Sequence, residues 1–150
     1  MKKTALLSLA LLLMQGPAVW AQADPLPVGI VKSVANEAAV LRNNSSLPAE
    51  ANMKVMNGDV LKTGADGSLG LIFEDDTVVS MGPGSEFVIQ DFAFSPAEGK
   101  LSCVLKMIQG TFTFLSGQIS KLSPENVRLQ TPDATVGMRG THVLIQIDGR

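Results

Sequence analysis

Few side chains in this chain could do chemistry, and the first candidates are two adjacent carboxylates, Asp75 and Asp76. Neighbouring residues of a strand point to opposite faces, so these two cannot act as a paired acid and base from a strand. The flanking sequence favours a turn between two strands, in which we expect both side chains to be solvent-exposed. Residues 74 to 85 also lack the alternating Asp or Asn residues and the closing Glu of a calcium loop.

The sole histidine, His142, and the sole cysteine, Cys103, are the next candidates. A histidine without a cysteine or serine partner is weak evidence for catalysis, and its place in a predicted strand indicates an exposed or half-exposed side chain. Cys103 shares one strand face with Leu101, Leu105 and Met107, so we expect it to be buried and to behave as a small hydrophobe. We therefore predict no catalytic residue, no metal site and no cofactor.

The densest unusual segment runs from Thr131 to Thr141, where Gly137 and Gly140 lie on either side of Arg139. Backbone N–H groups together with this arginine could form an anion site. The alternative is a structural turn, in which the arginine bonds backbone carbonyls or pairs with a carboxylate. We favour the structural turn and expect Arg139 to be largely buried.

Short strands must position these residues. The chain has 150 residues, of which 45% are hydrophobic and 17% are charged, enough apolar content for a packed core. Apolar runs recur about every ten residues between turns rich in glycine and proline, which is typical of a sandwich, barrel or solenoid. We predict a single compact all-β domain of about ten short strands, either a two-layer sandwich or solenoid-like. Strands are expected over 29–34, 38–41, 60–63, 69–73, 77–81, 86–90, 101–107, 112–114, 127–129 and 142–147.

The N-terminal sequence has the pattern of an export signal. Two lysines precede an apolar run over residues 5–14, which is too short to span the roughly 30 Å hydrocarbon core of a membrane as a helix. Small residues then suit a signal peptidase that cuts before Asp24 or, as the alternative, before Gln22. We predict a signal peptide over residues 1–23 and a mature bacterial protein, residues 24–150, that is periplasmic or secreted and does not span the membrane.

Charge and aromatic content argue against nucleic acid as a partner. The net charge is −2 at pH 7, whereas nucleic-acid-binding domains carry basic patches. The chain has no tyrosine, and its single tryptophan, Trp20, lies in the predicted signal peptide. The large stacking side chains of single-strand-binding surfaces are therefore missing from the predicted mature protein.

The order of several short motifs resembles the FecR domain family of bacterial periplasmic proteins. A middle motif has Gly-Asp, then Thr-Gly, then a strand, an acidic turn and a second strand. A closing motif has Thr-Pro, small residues and an Arg-Gly-Thr triplet before a strand. The motif residues, which we expect to be structural, are Gly58, Asp59, Thr63, Gly64, Thr131, Pro132, Gly137, Arg139, Gly140 and Thr141. The resemblance covers about residues 28–148, including a first hairpin.

The resemblance implies a non-enzymatic module for protein–protein recognition or accessory signalling, with another envelope protein as its partner. The alternative is a structural or assembly component of the envelope that forms homo-oligomers through strand edges. The signalling members of the family carry a sigma-factor-binding segment and a transmembrane helix before this domain. This sequence shows neither, so direct regulation of a sigma factor is not expected.

Two departures from the family pattern bear on these expectations. The acidic turn is Asp75-Asp76, where the family often has Asp-Gly. The sequence also ends soon after the Arg-Gly-Thr strand, where many relatives continue with another strand pair. We therefore expect the last hairpin to be missing or the domain to tolerate its absence.

Overall fold

A computed structural model of the chain describes residues 16, 18–21, 23–138 and 140–149. Most of the predicted signal peptide lies outside these residues, including the alternative cleavage position at Gln22. Arg139 also lies outside them, so its predicted burial is not tested.

The regular secondary structure of the described chain is almost entirely β-strand. The twelve strands are β1 (Gly29–Ala35), β2 (Ala38–Arg42), β3 (Ser45–Pro48), β4 (Lys54–Val55), β5 (Val60–Thr63), β6 (Ser68–Phe73), β7 (Val78–Met81), β8 (Glu86–Ser95), β9 (Lys100–Leu115), β10 (Val127–Gln130), β11 (Thr135–Gly137) and β12 (His142–Ile147). One short helix, α1 (Gln118–Leu122), and two 3-10 turns, Pro96–Glu98 and Pro124–Asn126, complete the described elements. The prediction of an all-β fold is confirmed.

All twelve strands belong to one curled sheet that is organised around β9. The first half of β9 pairs antiparallel with β8 and parallel with β10. Its second half pairs antiparallel with β7 and with β12. The main path through the sheet is β3-β2-β5-β8-β9-β7-β6-β1-β4, so β9 joins an arm that ends in β3 to an arm that ends in β4.

The two arms face each other across one hydrophobic core. Phe73 of β6 stacks on Phe92 of β8 with ring centroids 4.8 Å apart. The ring centroid of Phe87 in β8 lies 6.0 Å from that of Phe112 in the second half of β9. These ring pairs join residues of opposite arms, so the curled sheet encloses its core much as a two-layer sandwich does.

The length of β9 is the main local difference from the sequence analysis, which placed separate apolar runs before and after Gly110. The backbone of Gly110 has φ +104°, a conformation that glycine adopts without the steric penalty of a side chain. A Cβ added here would lie 2.5 Å from the Cα of Ser85. The strand can therefore pass this point without ending, and the two runs form one 16-residue strand.

Candidate functional site

The Gly-Asp motif forms a buried ion pair at the start of β5. Asp59 is 1% exposed, and its carboxylate accepts hydrogen bonds from Arg42 Nε at 2.8 Å and Arg42 Nη2 at 2.6 Å. It also accepts the backbone N–H of Met56 at 2.9 Å. The hydrogen bonds that Arg42 donates to the Asp59 carboxylate raise the pKa of Arg42 above its usual value. This pair ties the end of β2 to β5 and leaves no free carboxylate oxygen for a ligand.

The Thr-Gly motif at the other end of β5 connects the two arms of the sheet. Thr63 Oγ1 donates to the carbonyl of Gly82 at 2.7 Å and accepts the backbone N–H of Ser85 at 2.9 Å. Gly64 donates its N–H to the carbonyl of Glu37 at 2.8 Å. Gly82 and Ser85 lie between β7 and β8, so this motif holds strands of opposite arms together.

The expectation that Asp75 is solvent-exposed is wrong, because this side chain is fully buried. Its carboxyl group accepts hydrogen bonds from Thr77 N at 3.0 Å, Thr77 Oγ1 at 2.9 Å and Ile119 N at 3.1 Å. Its backbone carbonyl accepts the N–H of Gln118 at 2.7 Å. Asp75 thus satisfies two of the backbone donors at the start of α1 that no intrahelical partner can reach. Gly117 permits this approach, since a side chain there would clash with Asp75 O and Thr77 N.

The closing motif forms the turn before β11 and the entry to β12. Thr131 Oγ1 accepts the backbone N–H of Ala134 at 3.1 Å, and Pro132 is exposed. Gly137 belongs to β11, where an added Cβ would meet no atom within 4 Å. Gly140 and Thr141 are exposed and lead directly into β12. The structure therefore places the described residues of the two motifs at different turns instead of gathering them into one site.

The two remaining candidates for chemistry lie apart and in opposite environments. Cys103 is 1% exposed, as predicted, and burial raises the pKa of its thiol to about 12, with smaller contributions from Asp75 and Asp91. His142 is exposed on β12. Within the described ranges, no group of three His, Cys, Asp or Glu side chains is arranged to hold a metal ion. The thiol is therefore shielded from substrates and from the histidine.

The edge of β12 that faces away from β9 is unpaired, since no strand among the described residues pairs with it. All six residues of β12 pair with β9 in one unbroken register, from His142 opposite Leu115 to Ile147 opposite Gly110. The strand contains no proline and no lysine, arginine or carboxylate. Natural proteins use charges, prolines and bulges to block exposed edges, so this edge is unprotected.

One hydrogen bond shows which backbone groups of β12 face the free edge. Ser116 donates its N–H to the carbonyl of Thr141 at 2.9 Å, one step before β12 begins, so these two residues form a hydrogen-bonded pair. Hydrogen-bonded and non-hydrogen-bonded pairs alternate along an antiparallel ladder. The residues whose N–H and C=O groups point to the free edge are therefore His142, Leu144 and Gln146.

The inward side chains of β12 are incompletely covered. Val143, Ile145 and Ile147 pack against the core but are only half-buried. Their neighbours on β9, Phe114 and Phe112, are fully buried. The core is therefore open to solvent along β12, and a further strand placed beside β12 would close it.

Apolar exposure and edge length also distinguish β12 from the other edges. On its outer face Leu144 is 70% exposed, and Leu115 on β9 is 44% exposed. The other edge strands are shorter: β4 has two residues, β11 has three, and β3 has four and ends at Pro48. Of the edges in the described structure, β12 offers the longest template for another strand.

Comparison with known families decides the relationship. The family model described as FecR protein matches residues 59–150. The chain belongs to the FecR family. The matched part begins at Asp59 and contains all of the motif residues except Gly58. No curated protein matches the chain, and neither does any solved structure.

Membership of the FecR family indicates a signalling-related protein of the cell envelope, in a family of regulatory proteins rather than of known enzymes. FecR proteins interact with other envelope proteins. In the part of the chain that the structure describes, no helix has the length and apolar character needed to cross a membrane.

The acidic turn explains where this chain departs from the FecR pattern. Asp76 has φ +67°, in the left-handed region that favours glycine. Asp and Asn tolerate this region better than most residues, and Asp76 also accepts a hydrogen bond from Gln118 Nε2 at 3.0 Å. An aspartate can therefore replace the usual glycine here while Asp75 keeps its buried role.

Sequence reasoning missed Arg42 and Asp75 as partners in buried polar clusters. Arg42 lies 17 residues from Asp59, and Asp75 lies 44 residues from Ile119. The one available signal was that Asp75 lies in the acidic turn of the FecR pattern. The free edge of β12 had a clearer signal, an uncharged alternating run at residues 142–147.

Proposed function

We propose that this FecR-family protein is an exported, non-enzymatic module that recognises another envelope protein through the free edge of β12. In this proposal residues 1–23 form a cleaved signal peptide, and residues 24–150 form one periplasmic or secreted domain. The partner contributes an extended segment that pairs with β12, a mode of recognition that uses backbone hydrogen bonds for affinity. The motif residues keep structural roles.

The observation that carries the proposal is the row of backbone groups at His142, Leu144 and Gln146, which point away from β9 along a strand without proline, lysine, arginine or carboxylate. The half-buried side chains of Val143 and Ile145 add an apolar component. A partner strand would both satisfy the backbone groups and cover these side chains, so hydrogen bonding and apolar burial favour the same occupant.

An enzymatic function has less support. Catalysis by the thiol would require an exposed and electropositive setting, whereas Cys103 is buried and its pKa is raised to about 12. The buried carboxyl groups of Asp59 and Asp75 each accept three hydrogen bonds from the protein. Binding through a strand edge needs none of these groups.

The test compares two substitutions at one position in the intact envelope. Leu144→Pro removes an N–H that points to the free edge while leaving the hydrogen bonds to β9 in place. Leu144→Thr removes the exposed leucine side chain but keeps that N–H. Each variant carries a photo-crosslinking amino acid at Gln146, and adducts are identified by mass spectrometry.

We expect the unsubstituted chain and Leu144→Thr to crosslink the same envelope protein, and Leu144→Pro to lose that adduct while retaining a cooperative thermal melt. Equal adducts from a folded Leu144→Pro variant, or a complete lack of adducts from the unsubstituted chain, would contradict recognition through this edge.

A further inference from the structure

We infer that a second copy of this chain occupies the same edge, by antiparallel pairing of β12 with β12 about a two-fold axis at Ile145. This inference rests on the proposed function in that it uses the same free edge. It goes further because it names an occupant and a register.

The register follows from which residues present backbone groups to the edge. Continuing the alternation one step past β12 adds Asp148 to the set formed by His142, Leu144 and Gln146. An axis at Ile145 places Leu144 opposite Gln146 of the second copy and His142 opposite Asp148 of the second copy. All four edge-facing residues then lie in hydrogen-bonded pairs.

Neighbouring registers are poorer. An axis at Leu144 sets Asp148 opposite Gly140, which lies before β12, and loses the pairing of a histidine with a carboxylate. An axis at Gln146 leaves His142 unpaired and sets Leu144 opposite Asp148, which places an apolar side chain against a carboxylate. An imidazole N–H can donate a hydrogen bond to a carboxylate across the pair, so the axis at Ile145 gives the longest and best-matched ladder.

The inward side chains also match themselves in this register. Ile145 lies opposite its own copy, and Val143 lies opposite Ile147 of the second copy. These are the half-buried side chains along the open side of the core. An open pocket of about 360 Å³, lined by residues 131–133 and 145–149, borders the end of the edge.

The interface between the two β12 strands is small, so the affinity of the dimer should be low. A stable dimer usually buries about 800 Å² on each partner, which is more than one short strand edge and a few side chains supply. We therefore expect a reversible dimer that forms as concentration rises, and that an envelope partner can displace because both use the same edge.

Sedimentation velocity of the purified protein at increasing concentration is the first part of the test. We expect a shift from monomer to dimer for the unsubstituted chain and for Leu144→Thr, but not for Leu144→Pro. A chain that stays monomeric at every concentration would overturn the inference.

Disulfide trapping is the second part and does not depend on the proline variant folding. Leu144→Cys and Gln146→Cys are made in a Cys103→Ala background with tags of different size, and oxidised separately and together. We expect the mixed disulfide to form faster than either homodisulfide, because residues 144 and 146 face each other across the axis. Faster homodisulfide formation at Leu144→Cys or at Gln146→Cys would show a different register and overturn the inference.

The outcomes separate the two claims. A strictly monomeric chain whose envelope adduct is lost in Leu144→Pro would leave the proposed function intact and remove the second copy as an occupant. A dimer in the predicted register, without any envelope adduct, would support the inference and remove the proposed recognition function.

Discussion

Two kinds of region in this protein differ in whether their polar groups have hydrogen-bond partners within the protein. The first comprises the turns around β5 and between β6 and β7, and the second is β12. At those turns the carboxyl groups of Asp59 and Asp75 are buried and fully bonded within the protein. Along β12 the backbone groups of Leu144 and its edge-facing neighbours have no strand beside them in the described structure. Asp59 and Asp75 thus bond within the protein at these turns, whereas the free edge of β12 consists of residues outside the motif set.

Removing the carboxyl group of Asp75 should have the largest effect on the free energy of unfolding. Asp75→Ala leaves the donors of Thr77 and Ile119 buried without acceptors, so we expect a loss of about 3–5 kcal/mol in the free energy of unfolding. Urea denaturation measures this loss. Asp75→Asn, which keeps one acceptor oxygen, serves as the control and should lose less. A melt of Asp75→Ala like that of the unsubstituted chain would mean that the buried cluster adds little.

Removing the ion pair between Arg42 and Asp59 should cause the next largest loss of stability. Asp59→Ala strands both the guanidinium and the N–H of Met56, and we expect it to cost about 2–4 kcal/mol. The Arg42 side chain is 26% exposed, so water can rescue part of the loss. Arg42→Met and the double variant complete a mutant cycle, and a coupling energy near zero would show that the pair is not a structural unit.

Cys103 should make the stability of the protein depend on pH. Its pKa is about 12 in the folded state, against about 8.5 in an unfolded chain. The unfolded state therefore loses its proton first, and stability falls as pH rises above about 9, by up to about 1.4 kcal/mol per pH unit. This decline should be absent from the pH profile of Cys103→Ala, measured by urea denaturation. Parallel profiles for the two proteins would contradict the buried thiol.

The smallest effect is expected at Asp76. Asp76→Gly relieves the left-handed backbone but gives up the bond to Gln118 and adds flexibility to the unfolded chain, so stability should change by less than about 1 kcal/mol. Asp76→Ala keeps the backbone strain and also loses that bond, so it should be the less stable of the two variants. A thermal melt that placed Asp76→Ala above Asp76→Gly would show that the positive φ is not a constraint here.

The sequence predicted the parts of the fold that depend on local alternation. The buried face around Cys103, the strands on either side of the acidic turn and the alternating pattern of β12 all follow from side chains two residues apart. The burial of Asp75 could not be predicted in this way, because besides its local bonds to Thr77 it depends on the N–H groups of Gln118 and Ile119 in α1, which lies far along the chain. The openness of β12 depends on the sheet topology, which places β12 outside β9 with no further strand beside it among the described residues.

Hydrogen exchange of the β12 backbone amides, measured by NMR, tests the central claim most directly. In dilute protein we expect slow exchange at Val143, Ile145 and Ile147, which bond to β9, and fast exchange at Leu144 and Gln146, which face the free edge. The fast amides should become protected as the concentration rises or when the envelope partner is added. Equal protection of both sets in dilute protein, or fast exchange that persists in the bound state, would contradict a free edge that recruits another strand.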